Sequence, residues 1–269
     1  MTKTIFITGA SSGLGKATAI LFANKGWNVI ATMRNPEKET ELTQISNVTI
    51  MPLDVTSLEQ IEATARQVIE SGGVDVVFNN AGYGLAGPLE GTTDEQLVAE
   101  LDTNLLGVIR VTKAFIPHFR EKKAGLFITT TSIGGLVALP FNSVYHATKW
   151  ALEGWSESMA FELAKFGIGI KTVSPGGITT DFASRSLVLT QHDAYDELVG
   201  KVMSVFGDPG RAINYSTAEQ IAEVVYEAAT DGKAQLRYVA GEDAKAMYAR
   251  RLQVGDETFR AGVDDLFFN

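Results

Sequence analysis

The chain has 269 residues, 45% hydrophobic and 20% charged, an ordinary globular composition that excludes a disordered, collagen-like or disulfide-stapled protein. Its 23 lysines and arginines against 32 aspartates and glutamates give a formal net charge of −9, so a broad basic face for nucleic-acid phosphates works against the mean field of the protein. With no cysteine there is no disulfide, thiolate zinc site or thiol nucleophile, and redox chemistry needs a borrowed cofactor.

Residues 1–4 lead directly into the apolar Ile5-Phe6-Ile7, too short for a secretory segment, and no run reaches the ~18 apolar residues of a membrane span. The expectation is a cytoplasmic protein without integral membrane association. Short apolar or β-branched runs recur at 4–7, 29–32, 48–53, 74–78, 126–129, 168–173 and 236–239, with helix-patterned segments between them. This alternation reads as βαβ units. Several runs are apolar at consecutive positions, as strands covered on both faces should be. The reading is α/β, a doubly wound, mostly parallel sheet in a single domain over 1–269.

The first run enters Thr8-Gly9-Ala10-Ser11-Ser12-Gly13-Leu14-Gly15, and a helix over 13–25 begins inside it. Glycines between a strand and a helix N-terminus allow a tight turn and close approach of a diphosphate, while free amides and the helix dipole supply positive potential. Ser11 and Ser12 can bond phosphate or cap the helix. The second run ends at Met33, where an acid would accept from a ribose 2′-hydroxyl. Arg34 follows it, which favours a 2′-phosphate and hence NADP(H) over NAD(H). The charged stretch 36–41 reads as a solvated helix start, and Lys16 as a solvated surface charge.

Asn79-Asn80-Ala81-Gly82 follows the fourth run, as turn chemistry or as a wall for an adenosine. Thr92 or Thr93 caps a helix over 94–113, with acids in its first turn. Inside that helix Asn104 lies between Leu101 and Leu105, where an amide needs a partner: it holds a water, disturbs the helix, or is satisfied structurally. Ser132 stands just past the strand at 126–129, on the edge where open α/β sheets bind ligands. A long helix over 142–166, capped by Asn142 or Ser143, carries Tyr145 and Lys149 on one face. Such a pair is either a surface lysine beside an unrelated tyrosine, or an ammonium that brings a phenol from a pKa of about 10 toward neutrality. His146, adjacent to Tyr145, points elsewhere on the helix. The histidines show no metal-ligand spacing, so no metal is expected. Residues 179–216 form a long irregular segment of the kind that serves as a substrate lid. Residues 241–269 read as a helical tail that packs on a groove or a neighbouring subunit.

With these motifs in this order, and Pro175-Gly176 after the sixth run, the chain resembles the short-chain dehydrogenase/reductase family over residues 4 to about 181. It resembles the compact oxidoreductases, with a weaker likeness to retinol and 17β-hydroxysteroid dehydrogenases. The resemblance implies a Rossmann-like sheet of seven strands and a catalytic set of Asn104, Ser132, Tyr145 and Lys149. Tyr145 exchanges the proton, Lys149 holds ribose hydroxyls and lowers the tyrosine pKa, Ser132 orients the carbonyl and Asn104 supports a water. It also implies cofactor contacts at Gly9 to Gly15, Asp54, Val55, Asn80, Ala81, Gly82, Pro175, Gly176, Ile178 and Thr180. A homo-oligomer built through helices 94–113 and 142–166 follows from the same likeness.

The residues expected around the substrate, Gly134, Leu136 and Phe182 beside Ser132 and Tyr145, are small or apolar. They favour a hydrophobic ketone, aldehyde or secondary alcohol. An epimerase or dehydratase that returns hydride internally, and a non-catalytic dinucleotide sensor, are the other functions compatible with the motifs.

Overall fold

A computed structural model of the protein describes residues 2–179, 186–208, 210 and 215–269. In chain order its strands are β1 (Thr4–Thr8), β2 (Asn28–Met33), β3 (Val48–Pro52), β4 (Val76–Asn79), β5 (Gly84–Ala86), β6 (Gly125–Thr130), β7 (Ile168–Pro175), β8 (Ile178–Thr179), β9 (Leu187–Leu189), β10 (Ser216–Thr217) and β11 (Arg237–Ala240). Seven of them form one sheet in the order β11-β7-β6-β4-β1-β2-β3, with every pairing parallel. All seven apolar runs expected from the sequence are strands of this sheet. In β1, Ile5 and Ile7 enter the core on one face and Phe6 the core on the other, which is why its apolar residues are consecutive instead of alternating.

The helices are α1 (Gly13–Asn24), α2 (Leu58–Glu70), α3 (Asp94–Leu101), α4 (Gly107–Lys122), α5 (Ser143–Leu163), α6 (Asp196–Phe206), α7 (Ala218–Thr230), α8 (Glu242–Val254) and α9 (Asp256–Phe268). α1 and α7 cover one face of the sheet, and α2, α4 and α5 the other. The chain winds outward from β1 through β2 to β3, then returns to place β4 on the opposite side of β1. The crevice at the carboxyl ends of β1 and β4 is therefore the switch point at which such sheets bind ligands.

Two helices differ from their sequence pattern. The segment 94–113 is not one helix: Thr93 caps α3 through a reciprocal box with Gln96, but Asp102–Leu106 forms a π turn before α4 begins. Asn142 stands at the N-cap of α5 without capping it, because its Nδ2 donates to the Pro140 carbonyl at 2.7 Å. The stretch 36–41 opens with a single 3₁₀ turn, Pro36–Lys38, with Glu37, Lys38, Thr40 and Glu41 exposed, but one of its acids is not solvated. Glu39 is buried, accepts from the Glu41 and Leu42 amides and pairs with Lys16 at 3.1 Å, so Lys16 is tethered as well. Among the described residues no helix is long and apolar enough to cross a membrane.

One buried ion pair ties β7 to the last strand of the sheet. Lys171 Nζ lies 2.7 Å from Asp231 Oδ1 and also donates to the Ala228 carbonyl and the Tyr238 oxygen. The Tyr238 hydroxyl in turn donates to Asp231 Oδ2 at 2.6 Å. Burial pushes the Asp231 carboxyl up, but the hydrogen bonds from Lys171, Tyr238 and the Lys233 amide outweigh it and hold the group down at about 2. A carboxyl with a folded pKa below its unfolded value of 3.8 contributes stability above that value and loses it as pH falls through the folded pKa. The urea midpoint is therefore expected to fall between about pH 4 and 2 with an Asp231 component missing from Asp231→Asn. Parallel curves for the two proteins would remove Asp231 from the acid transition.

Candidate active site

The glycine turn is built as tightly as its sequence suggests, for a reason internal to the protein. Gly9 and Gly13 take φ of +68° and +52°, the left-handed region that favours glycine. A Cβ on Gly9 would stand 2.8 Å from Ala81 Cα, and one on Gly15 would stand 2.3 Å from the Gly9 carbonyl oxygen. Asn80 locks the same corner: its Nδ2 donates to the Thr8 and Gly9 carbonyls, both at 3.2 Å, and its Oδ1 accepts from Thr130. The Thr8 hydroxyl oxygen accepts from the Asn80 and Ala81 amides. The Asn79 to Gly82 motif thus clamps the ends of β1, β4 and β6 together.

Ser12 occupies the N-cap of α1, yet its side chain makes no capping bond, and the first turn carries no acid. Among the described residues neither a capping side chain nor a first-turn acid answers the positive end of this helix, which fits an anionic pyrophosphate. Leu14 is buried in the core beneath it. Arg34 is exposed directly after β2. Asp54 Oδ1 accepts from the Thr56 amide and hydroxyl, and Val55 is buried against Gly107.

Across the crevice, Lys149 is buried; its Nζ donates to the Thr130 carbonyl at 3.0 Å and lies 5.6 Å from the Tyr145 ring centroid. The Lys149 ammonium faces the Tyr145 ring, and Ser132 lies beside the phenol and favours its ionisation. Ser132 Oγ also accepts from the Gly134 amide at 3.0 Å. The electrostatics run against the expected sign. Burial pushes the Tyr145 hydroxyl up to about 12; the Ser132 hydrogen bond opposes the rise and the Glu100 carboxyl adds to it. Burial likewise pulls Lys149 down to about 8, against the support of Glu100 and Glu153. Desolvation outweighs the contribution of Ser132, and the phenol stands above its ordinary value.

Asn104 lies in the π turn with its amide filled. Oδ1 accepts from the Tyr83 amide at 3.0 Å, and Nδ2 donates to the Tyr83 carbonyl at 2.7 Å and to Glu100 Oε1 at 2.9 Å. Of the three expectations for this residue, local disturbance of the helix and structural satisfaction are both observed. Gly82 leaves the room: a Cβ there would stand 2.9 Å from Asn104 Oδ1 and 3.8 Å from Lys149 Nζ.

A cavity of about 540 Å³ opens beside these groups, lined by Ser132, Gly134, Tyr145, His146 and Gly176 on its inner side. Its outer wall comes from Phe206 of α6 and from Met247, Phe259, Val263 and Leu266 of α8 and α9. The groove on which the tail packs is thus the mouth of this cavity. The i, i+4, i+7 spacing of Phe259, Val263 and Leu266 was the available signal for an apolar face there. Leu136 does not line the cavity. It is buried in a small cluster with Ile133, Val137, Ala244 and Phe259, because the 3₁₀ turn Ile133–Gly135 turns it inward. Thr180 and Phe182 lie outside the described residues. His146 lines the cavity despite its place next to Tyr145. Its Nδ1 accepts from the Leu139 amide at 3.4 Å, and burial pulls the ring down to about 4. Pro175 and Ile178 flank the two glycines at the end of β7, where the Gly177 amide donates to Asp243 at 2.7 Å.

The family model for short chain dehydrogenases matches residues 3–187. The chain belongs to the short-chain dehydrogenase family. Its relatives include an uncharacterised oxidoreductase of Schizosaccharomyces pombe, 36% identical over 231 residues that cover 85% of this chain and 97% of the relative. Human 17-beta-hydroxysteroid dehydrogenase type 1 is 33% identical, covering 92% of this chain and 80% of that one. A crystal structure of a short-chain dehydrogenase from Streptomyces avermitilis superposes with a TM-score of 0.86 at 32% identity, over 98% of this chain and 95% of the other. ElxO with NADP bound superposes at 0.75 and 27% identity, over 89% and 98% of the two chains. This short-chain dehydrogenase is an oxidoreductase of the NAD(P)-dependent dehydrogenase/reductase type, on a single Rossmann-like domain.

Proposed function

We propose that the enzyme is an NADP(H)-dependent carbonyl reductase or alcohol dehydrogenase acting on a hydrophobic ketone, aldehyde or secondary alcohol. The observation that carries this reading is the convergence of Ser132 and Tyr145 on the inner end of a largely apolar cavity, with the buried Lys149 ammonium behind the Tyr145 ring. A bound nicotinamide cofactor supplies the hydride donor or acceptor. The turn Gly9 to Gly15, with Ser11, Ser12 and the α1 N-terminus, holds its pyrophosphate, and Asp54, Val55 and Asn80 to Gly82 border its adenosine. Pro175, Gly176 and Ile178 line its nicotinamide, and Lys149 holds the neighbouring ribose. Arg34, exposed at the end of β2, meets a 2′-phosphate.

Ser132 orients the substrate oxygen, and the Tyr145 hydroxyl gives that oxygen its proton as hydride arrives at carbon. A phenol held near 12 keeps its proton across the neutral range and is ready as the acid for reduction. Asn104, clamped to Tyr83, keeps the π turn in shape behind Lys149. The exposed apolar residues of α3 and α5, among them Val98, Trp150 and Phe161 with 72% of its surface free, support the proposal that copies of the chain associate through these helices.

The test is a panel of apolar ketones, aldehydes and alcohols assayed with both phosphorylated and unphosphorylated nicotinamide cofactors. Turnover of apolar carbonyls with NADPH is expected, and Arg34→Ala is expected to lower kcat/KM for NADPH about tenfold, the scale of one charge-assisted contact, with little change for NADH. A wild-type preference for NADH overturns the role of Arg34. Cofactor binding with no turnover anywhere in the panel overturns the enzymatic reading.

A further inference from the structure

Glu100 has no part in the scheme above, yet it is fully buried in the last turn of α3, hydrogen-bonded to Asn104, whose amide oxygen and the Lys149 ammonium both border Gly82. A carboxyl taken out of water needs partners for both oxygens. Glu153, the other buried acid near Lys149, has them: its oxygens accept from Thr131, Ser174, Thr172 and Arg237. Glu100 is served differently. Oε1 accepts from Asn104 Nδ2 at 2.9 Å, whereas Oε2 is buried without a partner at hydrogen-bond geometry among the described residues, although the Tyr83 phenol stands against the carboxyl.

The charged and titratable groups facing this carboxyl are few. α5 presents Tyr145 and Lys149, with Glu153 one turn beyond Lys149 and His146 directed to the cavity. The loop entering β5 presents Tyr83. The neighbouring Asp102 is engaged by Arg110 at 2.5 Å. Among the described residues, Lys149 is thus the cation whose field reaches Glu100. It is also the cation that the proposed chemistry needs.

We propose that Glu100 is a positioning residue for the Tyr145–Lys149 pair: one oxygen fixes Asn104 against Tyr83, and its ionised carboxylate is the internal counter-charge that keeps Lys149 an ammonium. This rests on the reading of Tyr145 and Lys149 as the proton-handling pair. Burial raises Glu100 to about 7, with Lys149 and Tyr83 opposing the rise, while Lys149 lies at about 8. Glu100 therefore gains its charge just below the pH range in which Lys149 would lose its own. The carboxylate delays that loss, and it also discourages ionisation of Tyr145. Both effects extend to higher pH the state in which phenol and ammonium are protonated together.

The test is the pH profile of kcat/KM for carbonyl reduction in wild type, Glu100→Gln and Tyr83→Phe. Glutamine keeps a carbonyl oxygen for Asn104 and removes the charge. In Glu100→Gln the alkaline limb is expected to move to lower pH by about one unit, the scale of one nearby opposite charge. The wild-type to variant ratio then rises about tenfold from pH 6 to pH 9. Tyr83→Phe withdraws a hydroxyl that favours the carboxylate, so it is expected to move the limb in the same direction by less, and to add nothing in the Glu100→Gln background. A ratio constant across pH, the mark of a merely structural role, overturns the proposal. Should Glu100→Gln fail to fold, Tyr83→Phe decides alone, and an unmoved limb in that variant also overturns it. Loss of turnover in Tyr145→Phe together with an unmoved Glu100→Gln limb removes only the role of Glu100, whereas an active Tyr145→Phe removes the underlying reading.

Discussion

Replacement of Tyr145 by phenylalanine is expected to lower kcat by about 10² or more, the scale of losing a general acid, while cofactor affinity stays within about twofold, well under the 1.4 kcal/mol of a tenfold change. The ring stays in place between Ser132 and Lys149, and only the hydroxyl that Ser132 contacts is removed. Nothing in the glycine turn or at Lys149 Nζ, which is anchored to the Thr130 carbonyl, depends on that hydroxyl. Fluorescence titration of the reduced cofactor and steady-state turnover on one ketone measure the two quantities separately. Turnover within tenfold of wild type would show that the proton comes from elsewhere.

The largest expected effect on stability is at Lys171. Its side chain and that of Asp231 are only 7% and 8% exposed, and the ammonium also serves Ala228 and Tyr238. Lys171→Met fills much the same volume but takes from the buried Asp231 carboxylate its nearest cation, leaving the Tyr238 hydroxyl, the Lys233 amide and the more distant Lys233 ammonium at 3.8 Å. Breaking a buried pair from one side costs about 3–5 kcal/mol, because the remaining charge loses its closest counter-charge. Urea denaturation at pH 7 measures it, and Asp231→Asn in the Lys171→Met background is expected to recover part of the loss. A single variant within 1 kcal/mol of wild type, a scale of ordinary surface changes, would mean that water reaches the pair.

The sheet was legible because a strand covered on both faces has few alternatives: consecutive apolar residues such as Ile5-Phe6-Ile7 divide between two cores, and the helices between such strands enforce parallel pairing. The glycine turn was legible for a related reason, since Gly9 and Gly15 are required by backbone contacts that a Cβ would break. What escaped was set by three-dimensional neighbours. Leu136 has the composition of a pocket residue, but its direction is decided by a 3₁₀ turn that leaves no apolar period to read. His146 was assigned to another face of the helix, yet the segment after Ser132 folds across α5 and brings it to the same cavity. The sign of the Tyr145 shift depends on how completely two groups lose water, which i, i+4 spacing does not carry. Asn104 gave a true signal, because an amide in an apolar helical stretch did mark the π turn, but its partner Glu100 looks in sequence like one more acid of α3.

Ser132, Tyr145, Lys149 and the glycine turn all precede residue 180, whereas much of the far side of the cavity is built by α8 and α9. On the proposed reading, reactivity and selectivity are written in separate, consecutive stretches of the polypeptide. Exchanging 242–268 for the equivalent stretch of a relative is then expected to change the substrate range and leave the reaction unchanged.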